Sequence, residues 1–289
     1  MPHDLHNLRR ERWRLNGRPL SGFDDAREFV ESAGLVLLAP ASPPVALPTM
    51  VGATLGGDAQ LPDARRLPTD PRGQQARALA DELVRRKAAV ESNIFPDNGV
   101  LVAPSLFPYF YTLLADREGG ARREPLSRLA DAAGKLLERE GPLTTAQLRE
   151  KLGAEVSTAA VDRAMTELWT RLRALRIGRA ADGALWETPQ RWLPEGTRQG
   201  AHTSAGVALS ALISRYLDSA VAAEQSELED VFSRFAPRSR VRESVNALLA
   251  ARELSLRNLG KHTLLEITPA RTAPSLERRP AKERPPRRA

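Results

Sequence analysis

The feature that most constrains the fold of this chain is an apolar pattern that repeats after about 80 residues. In the first copy, residues 126–137 predict a helix, LTTAQLREKLG a short helix and STAAVDRAMTELWTRLRAL a longer one, followed by the strand-like pieces ALRIG and ALWETP. Matched apolar positions include Leu129 with Leu209, Leu148 with Leu228, Val161 with Val241, Leu168 with Leu248, Ile177 with Leu256 and Leu185 with Leu264. Three helices and a hairpin in this order predict two tandem winged helix-turn-helix modules.

The predicted fold is mainly α with small β-hairpin wings, and it joins the two winged helix-turn-helix modules to an N-terminal α/β region. The chain of 289 residues has room for several small cores. The predicted segments are a flexible basic N-terminus at 1–20, a helical and extended region at 21–120, module 1 at 121–190, a linker at 191–203, module 2 at 204–269 and a disordered basic tail at 270–289.

The N-terminal region predicts short elements separated by a proline-rich stretch. A capping box of Ser21 and Asp24 predicts the start of a helix that ends at Gly34, and LVLLAP then reads as a strand. Seven Pro between 40 and 71 exclude a continuous regular element there. The segment GQQARALADELVRRKAAVESN predicts an amphipathic helix, and 100–103 predicts a strand.

Four aromatic residues lie close together in SLFPYFYTLLAD. They are Phe107, Tyr109, Phe110 and Tyr111. Such a cluster can stack bases in proteins that bind single-stranded nucleic acid. More often it belongs to a core or to a seam between domains.

The net charge of +7 lies mainly at the two ends of the chain. Residues 270–289 hold seven Lys or Arg against two Glu, and residues 1–20 hold five Arg against two acidic residues. A disordered basic tail can hold phosphates loosely through counterion release. Basic ends also favour solubility, and the charge alone does not decide between these roles.

The composition excludes several kinds of site. Without Cys the chain has no disulfide, thiolate metal site or Cys nucleophile. The four His lack a second ligand at metal spacing, and neither a P-loop nor a dinucleotide-binding glycine fingerprint occurs. No apolar run approaches the roughly 20 residues that cross a bilayer. We expect no cofactor, no metal, no membrane contact and a cytoplasmic location.

Charge in the second module follows the geometry of a helix-turn-helix. Its second helix is acidic, whereas the turn and the start of its third helix carry Arg234, Arg238, Arg240 and Arg242. The third helix of such a motif enters the major groove of double-stranded DNA with its first residues near bases and phosphates. Arg at a helix N-terminus opposes the helix dipole, and a phosphate would supply the missing anion. Alternatively, the acidic helix neutralises these Arg by itself.

The candidate DNA-binding residues come from both third helices and both wings, because Arg suits bidentate contact with guanine or phosphate. In module 1 they are Arg163 and Thr166 early in the helix, Arg171 and Arg173 late in it, and Arg176 and Arg179 in the wing. In module 2 they are Arg238, Arg240, Arg242 and Asn246 in the helix, and Arg257 and Lys261 in the wing.

Several stretches, taken in order, resemble the AlkZ-related winged-helix proteins. They are LVLLAP, FPYFYTLL, GPLTTAQLREKLG, VDRAMTELWTRLRALRIG and ALWETPQRWLPE, and the resemblance covers residues 22–268. This bacterial family includes DNA glycosylases that excise alkylated or crosslinked bases. The resemblance implies tandem winged helices that cradle double-stranded DNA and a role in DNA repair.

The active enzymes of that family carry a Gln-x-Gln or Gln-x-Asp motif that positions water at the sugar. The region that should correspond here, GLVLLAPASPPVALP, has Leu38 and Pro40 in place of polar groups, and neither side chain can hydrogen-bond water. We therefore expect a DNA-binding protein that is not catalytic, and we assign no catalytic residue. An active DNA glycosylase, a protein-interaction module and a transcriptional regulator remain alternatives.

Overall fold

A computed structural model describes residues 3–41, 44–95, 98–115, 125–153, 155–260 and 262–269. The tail at 270–289 and the candidate Lys261 lie outside the described residues. Within the described ranges, the helices are accompanied by a six-stranded and a three-stranded antiparallel sheet. The fold is therefore mixed, with more strand structure than the sequence predicts.

The first described residues form a helix, although the sequence predicts a flexible end at 1–20. Helix α1 spans His3–Arg12. Arg9 is buried and donates hydrogen bonds to the carbonyl oxygens of Ala220 and Ala222, at 2.8 and 2.7 Å. These carbonyl groups follow the end of a later helix, where helical partners run out, so Arg9 satisfies acceptors that would otherwise be unpaired. The basic segment is thus fixed by a partner distant in sequence.

The region that follows contains four helices and three strands. The helices are α2 (Phe23–Ala33), α3 (Met50–Leu55), α4 (Pro71–Arg85) and α5 (Phe107–Leu114), and the strands are β1 (Leu35–Leu37), β2 (Val90–Phe95) and β3 (Asn98–Val102). The predicted capping box at α2 is wrong, because the amide and hydroxyl of Ser21 donate to the carboxylate of Asp25 rather than engaging Asp24.

Strand β2 lies where the sequence predicts the last turns of a helix. Helix α4 ends at Arg85, and Lys87 has a positive φ of 59° that turns the chain. The following VESNIF segment pairs on one side with β3. The helical spacing of Ala and Leu in α4 extends by chance into this strand, whose pairing partners lie elsewhere in the chain.

The first unit, which we define as residues 125–187, contains three helices and three strands. They are α6 (Arg128–Glu140), β4 (Leu143–Thr144), α7 (Thr145–Leu152), α8 (Thr158–Thr170), β5 (Leu175–Ala180) and β6 (Gly183–Glu187). Ser127 caps α6, and Thr144 and Gln147 form a capping box on α7. Ser157 caps α8 by accepting a hydrogen bond from the amide of Ala160.

The predicted linker at 191–203 is folded. It lies in helices α9 (Pro189–Trp192) and α10 (Pro194–His202). Helix α10 packs so closely on α5 that a Cβ atom on Gly200 would lie 2.6 Å from the carbonyl oxygen of Pro108. The Pro, Gly and polar residues that indicate a linker serve here to start short helices and to allow this approach.

The second unit, residues 205–267, has the same order of elements as the first. They are α11 (Ala205–Ala220), β7 (Ala223–Glu224), α12 (Gln225–Phe232), α13 (Arg238–Ala250), β8 (Leu254–Leu259) and β9 (His262–Ile267). Helices α12 and α13 begin 80 residues after α7 and α8, and β8 begins 79 residues after β5. These are the two spacings of the apolar pattern.

The hairpins of the two units have different surroundings. In the six-stranded sheet the order is β1-β3-β2-β5-β6-β4, so β2 pairs with β5 and joins the hairpin of the first unit to the N-terminal strands. The sequence predicts a small independent wing there, which is wrong. In the second unit the order β7-β9-β8 forms a separate sheet.

The buried residues form two main clusters. The first unit has its own core around Leu137, Met165 and Leu168. The N-terminal region and the second unit share the other core, in which the ring centroids of Phe110 and Phe235 lie 5.5 Å apart. Phe107 and Phe110 are each 1 % exposed, so the aromatic cluster of α5 is a seam between domains and not a base-stacking platform.

Candidate nucleic-acid interface

A groove of about 2100 Å³ lies between the two units. One wall comes from the start of α6 and the turn after α8, and the other from the starts of α11 and α13 and one face of α13. Its lining includes the end of α5 and many small side chains, among them Ala205, Gly206, Ser210, Ala236, Ser244 and Ala247. Small residues along both walls leave the backbone accessible to a large ligand.

The groove carries a surplus of positive charge. Its lining contains five Arg against three acidic residues, namely Arg128, Arg171, Arg173, Arg234 and Arg240 against Asp131, Glu243 and Glu253. Arg171, Arg173 and Arg240 form ion pairs with Glu167, Glu138 and Glu243 at 3.3, 3.6 and 3.0 Å. In the described part of the chain, the exposed side chains of Arg128 and Arg234 have no acidic partner.

Three helices begin at the groove. The first turns of α6, α11 and α13 all contribute lining residues, and the free amide groups of a helix N-terminus carry a partial positive charge. Ser127 and Ser204 cap α6 and α11 with their hydroxyl oxygens. At α13 the N-cap is Pro237, and no side chain caps this end. The amide groups at the start of α13 are therefore open to an anion.

Of the candidates from the sequence, the structure brings Arg171, Arg173 and Arg240 together in the groove. The first two do not lie late in α8, because α8 ends at Thr170 and they occupy the turn that leads to β5. They therefore approach the second unit across the groove.

The candidates Arg238, Arg242 and Asn246 lie four residues apart on another, exposed face of α13. Arg238 donates to Asp230 at 2.6 Å, and Arg242 makes two hydrogen bonds of 2.7 Å to Glu229. The hydrogen bond from Arg242 holds the pKa of Glu229 at about 2. The acidic helix α12 thus neutralises two of these Arg within the protein.

The other candidates on α8 and β8 are exposed or half-buried outside the groove. Arg163 has no ion-pair partner among the residues described, and the hydroxyl of Thr166 donates to the carbonyl oxygen of Asp162 at 2.8 Å. Arg257 lies 3.6 Å from Glu266 on the neighbouring strand.

The two candidates on β5 differ sharply. Arg176 is enclosed in an ion cluster with its side chain 15 % exposed, and its guanidinium binds the buried carboxylate of Glu91. Burial raises the pKa of Glu91, but Arg176 and Arg77 lower it further, to about 2. Arg179, at the far end of the strand, is 55 % exposed. The structure thus gives Arg176 an internal partner and leaves Arg179 open to solvent.

Comparison with known proteins identifies the family of the chain. The family model for AlkZ-like DNA glycosylases matches residues 51–287. The chain belongs to the AlkZ-like family. Among solved structures, the DNA glycosylase AlkZ of Streptomyces sahachiroi is similar, with a TM-score of 0.59 and 14 % identity over 91 % of this chain and 69 % of that one. At this identity the match shows a shared fold. None of the curated proteins matches the sequence.

In this AlkZ-like chain, the region in which the resemblance places the catalytic motif follows β1. Leu38 is buried at 5 % exposure, and Pro40 is half-buried. Among the described residues, no group of three His, Asp or Glu side chains is placed to hold a metal ion. The same residues include no helix long and apolar enough to cross a membrane.

Sequence reasoning did not select Arg128 and Arg234 as candidate binding residues. Arg128 is the first residue of α6, directly after its Ser127 cap, and Arg234 lies in the turn before α13. The cap signal at Ser127 was visible in the sequence. That α6 begins opposite α13 depends on how the two units pack, which no local pattern encodes.

Proposed function

We propose that this chain binds double-stranded DNA as a pair of winged helix-turn-helix modules, with the sugar-phosphate backbone held in the groove between the two units. The observation that carries the proposal is the convergence on one groove of five Arg and three helix N-termini from both units. Membership of a family whose model is described by DNA glycosylases supports DNA as the ligand.

The chemistry of the groove suits phosphate more than base edges. Phosphate oxygens accept hydrogen bonds from guanidinium groups and from free helix amides, and such contacts position a protein without reading sequence. The uncapped start of α13, flanked by Arg234 and Arg240, offers both kinds of donor at one place. The groove therefore supplies affinity, and base contacts would come from other exposed residues such as Arg163 and Asn246.

Equilibrium titration of a fluorescent duplex tests this placement. The variant Arg128→Gln with Arg234→Gln removes two exposed charges that have no acidic partner in the described part of the chain, so folding should be retained. We expect its affinity for duplex DNA to fall at least tenfold. The matched control, Arg18→Gln with Arg85→Gln, removes two exposed charges outside the groove and should bind as the wild type does. Equal affinity of the two double variants would refute the groove as the binding site.

We propose further that the protein binds DNA without excising bases. Leu38 and Pro40 supply no group that can position water at a sugar carbon, and this supports a binder. Incubation with a duplex that contains alkylated bases, followed by alkaline cleavage of abasic sites, should yield no strand breaks above the background without protein.

An active glycosylase is the second candidate, because the matching family model carries that description. Strand cleavage in the same assay, in proportion to protein concentration, would establish it over the binder. If the wild-type protein did not retain duplex DNA even at low salt, both DNA-based functions would fail and a protein-interaction module would be favoured.

A further inference from the structure

A second cavity, of about 460 Å³, lies on the far side of the hairpin of the first unit. It is formed by α4, the loop that precedes α4, the ends of β1 and β3, and Arg179 from β5. Its polar lining comes from Gln74, Arg77, Asp81 and Arg179, and its apolar lining includes Leu38 and Leu67. We call it the Arg179 pocket.

The charge around this pocket does not cancel. Arg77, Arg176 and Arg179 lie in one cluster with Asp81 and Glu91, so three guanidinium groups meet two carboxylates. Glu91 is buried and fully engaged by Arg77 and Arg176. Asp81 accepts a hydrogen bond from Arg77. One positive charge remains, and it is located on Arg179.

Arg179 is placed to bind an anion that enters the pocket. Its closest acidic contact is long, with Nε 3.8 Å from the carboxylate of Asp81, and its terminal nitrogens have no hydrogen-bond partner among the residues that the structure describes. Burial lowers the pKa of Arg179, and the like charges of Arg77 and Arg176 lower it further. The side chain therefore sits in a field of positive sign, which an anion would relieve.

The rest of the pocket suits a flat, partly apolar group. Its volume lies within the roughly 300–1,000 Å³ typical of small-molecule sites, well above the space that a bare phosphate ion needs. Leu38, Leu67 and Pro68 form an apolar wall. The amide nitrogen of Gln74 donates to the carbonyl oxygen of Pro68 at 2.9 Å, which leaves the side-chain oxygen of Gln74 as an acceptor at the rim.

We infer that the Arg179 pocket binds a single nucleotide, with its phosphate on Arg179 and its base against the wall of Leu38 and Leu67. An anionic group joined to a flat, partly apolar ring matches both halves of the pocket. The choice of a nucleotide over other phosphorylated compounds rests on the proposed function.

The nucleotide has two possible sources, a free nucleotide or an unpaired nucleotide of DNA bound in the groove. Arg173 in the groove and Arg179 in the pocket stand at opposite ends of β5, which at about 3.3 Å per residue is a separation of roughly 20 Å. One DNA molecule can therefore reach both places.

Calorimetric titration of the full chain with each deoxynucleoside monophosphate tests the inference. We expect binding of the monophosphates and at least tenfold weaker binding of the matching nucleosides, which lack the phosphate. Arg179→Gln should weaken monophosphate binding at least tenfold, whereas Arg163→Gln, an exposed Arg outside the pocket, should leave it unchanged. Absence of monophosphate binding to the wild type, or equal binding by Arg179→Gln, would overturn the inference.

Two further variants separate binding from folding. Asp81→Asn removes the acidic group beside Arg179 and should strengthen monophosphate binding several-fold, even if it lowers stability. Ala78→Leu places a larger side chain on an exposed position of α4 that lines the pocket, and should weaken binding without loss of stability. Weaker binding by Asp81→Asn in proportion to lost stability would indicate a structural cluster and overturn the inference.

The source is decided with duplexes. If Arg179→Gln weakens binding of a duplex with one unpaired nucleotide more than binding of a fully paired duplex, the pocket takes its nucleotide from DNA. If both duplexes bind Arg179→Gln as they bind the wild type, while monophosphates do not, the ligand is a free nucleotide. These results are independent of the Arg128→Gln, Arg234→Gln variant, so failure of the groove proposal would be recognised separately.

Discussion

Arg176 of β5 lies directly opposite Glu91 of β2, and its Nε donates to a carboxylate oxygen of Glu91 at 2.9 Å. Arg77 from α4 binds the same carboxylate at 2.6 and 2.7 Å. The indole nitrogen of Trp169 donates to the carbonyl oxygen of Glu91 at 2.9 Å. A single buried Glu thus connects the N-terminal sheet, α4 and the first unit, and holds one wall of the groove in place.

Glu91→Gln should destabilise the protein strongly. The substitution leaves two guanidinium groups, each 15 % exposed, without the carboxylate that compensates them. Removing one partner of a buried ion pair typically costs about 3–5 kcal/mol. Urea unfolding measures the change, with the exposed Glu31→Gln as control and an expected change within about 0.5 kcal/mol. A loss from Glu91→Gln no larger than the control would show that the cluster does not support the fold.

The same residue predicts how stability depends on pH. Because the folded pKa of Glu91 is about 2, below its ordinary 4.5, the unfolded chain takes up the proton first as the pH falls. The stabilisation is complete above about pH 4.5 and is lost progressively toward pH 2, by about 3 kcal/mol on the linkage relation. The difference in unfolding free energy between wild type and Glu91→Gln should therefore shrink over this range. A difference that is constant from pH 6 to pH 3 would contradict the assignment.

Arg9→Met should loosen the contact between α1 and the second unit. It removes the hydrogen bonds to the carbonyl oxygens of Ala220 and Ala222 and leaves both acceptors unpaired. Hydrogen bonds that involve a charged group contribute about 1.5–3 kcal/mol, and we expect a loss of that order in thermal or urea unfolding. Arg27→Met, which breaks an exposed pair with Asp24, should change stability by less than about 1 kcal/mol. Equal effects would argue that α1 is not anchored.

The two faces of α13 should contribute unequally to DNA binding. Arg238 and Arg242 are already paired with Asp230 and Glu229, so their replacement by Gln removes little free positive charge. We expect Arg238→Gln with Arg242→Gln to lower duplex affinity less than Arg128→Gln with Arg234→Gln, in titrations at the same salt concentration. The reverse order would place the DNA on the outer face of α13, as the sequence alone suggests.

Elements with a local signal could be predicted from the sequence. The apolar spacing of Val161, Met165 and Leu168 fixes the buried face of α8, and the shift of 80 residues places α13 correctly from α8. The caps at Ser127 and Ser157 follow from short-range hydrogen bonding that any Ser before an apolar run can make.

Features that depend on distant partners could not be predicted in this way. Strand β2 forms because β3 and β5 lie on either side of it, and Glu91 within it gives no sign in the sequence of being buried. Similarly, Arg9 is fixed by carbonyl groups more than 200 positions later in the chain. The charge surplus of the groove also arises only when α6 and α13 face each other.

The dependence of duplex affinity on salt tests the central claim most directly. If the groove holds the DNA backbone, Arg128 and Arg234 each neutralise a phosphate, and removing both should lower the slope of log affinity against log salt concentration by about 2. The control variant Arg18→Gln with Arg85→Gln should keep the wild-type slope. A slope for Arg128→Gln with Arg234→Gln equal to that of the wild type would contradict DNA binding in this groove.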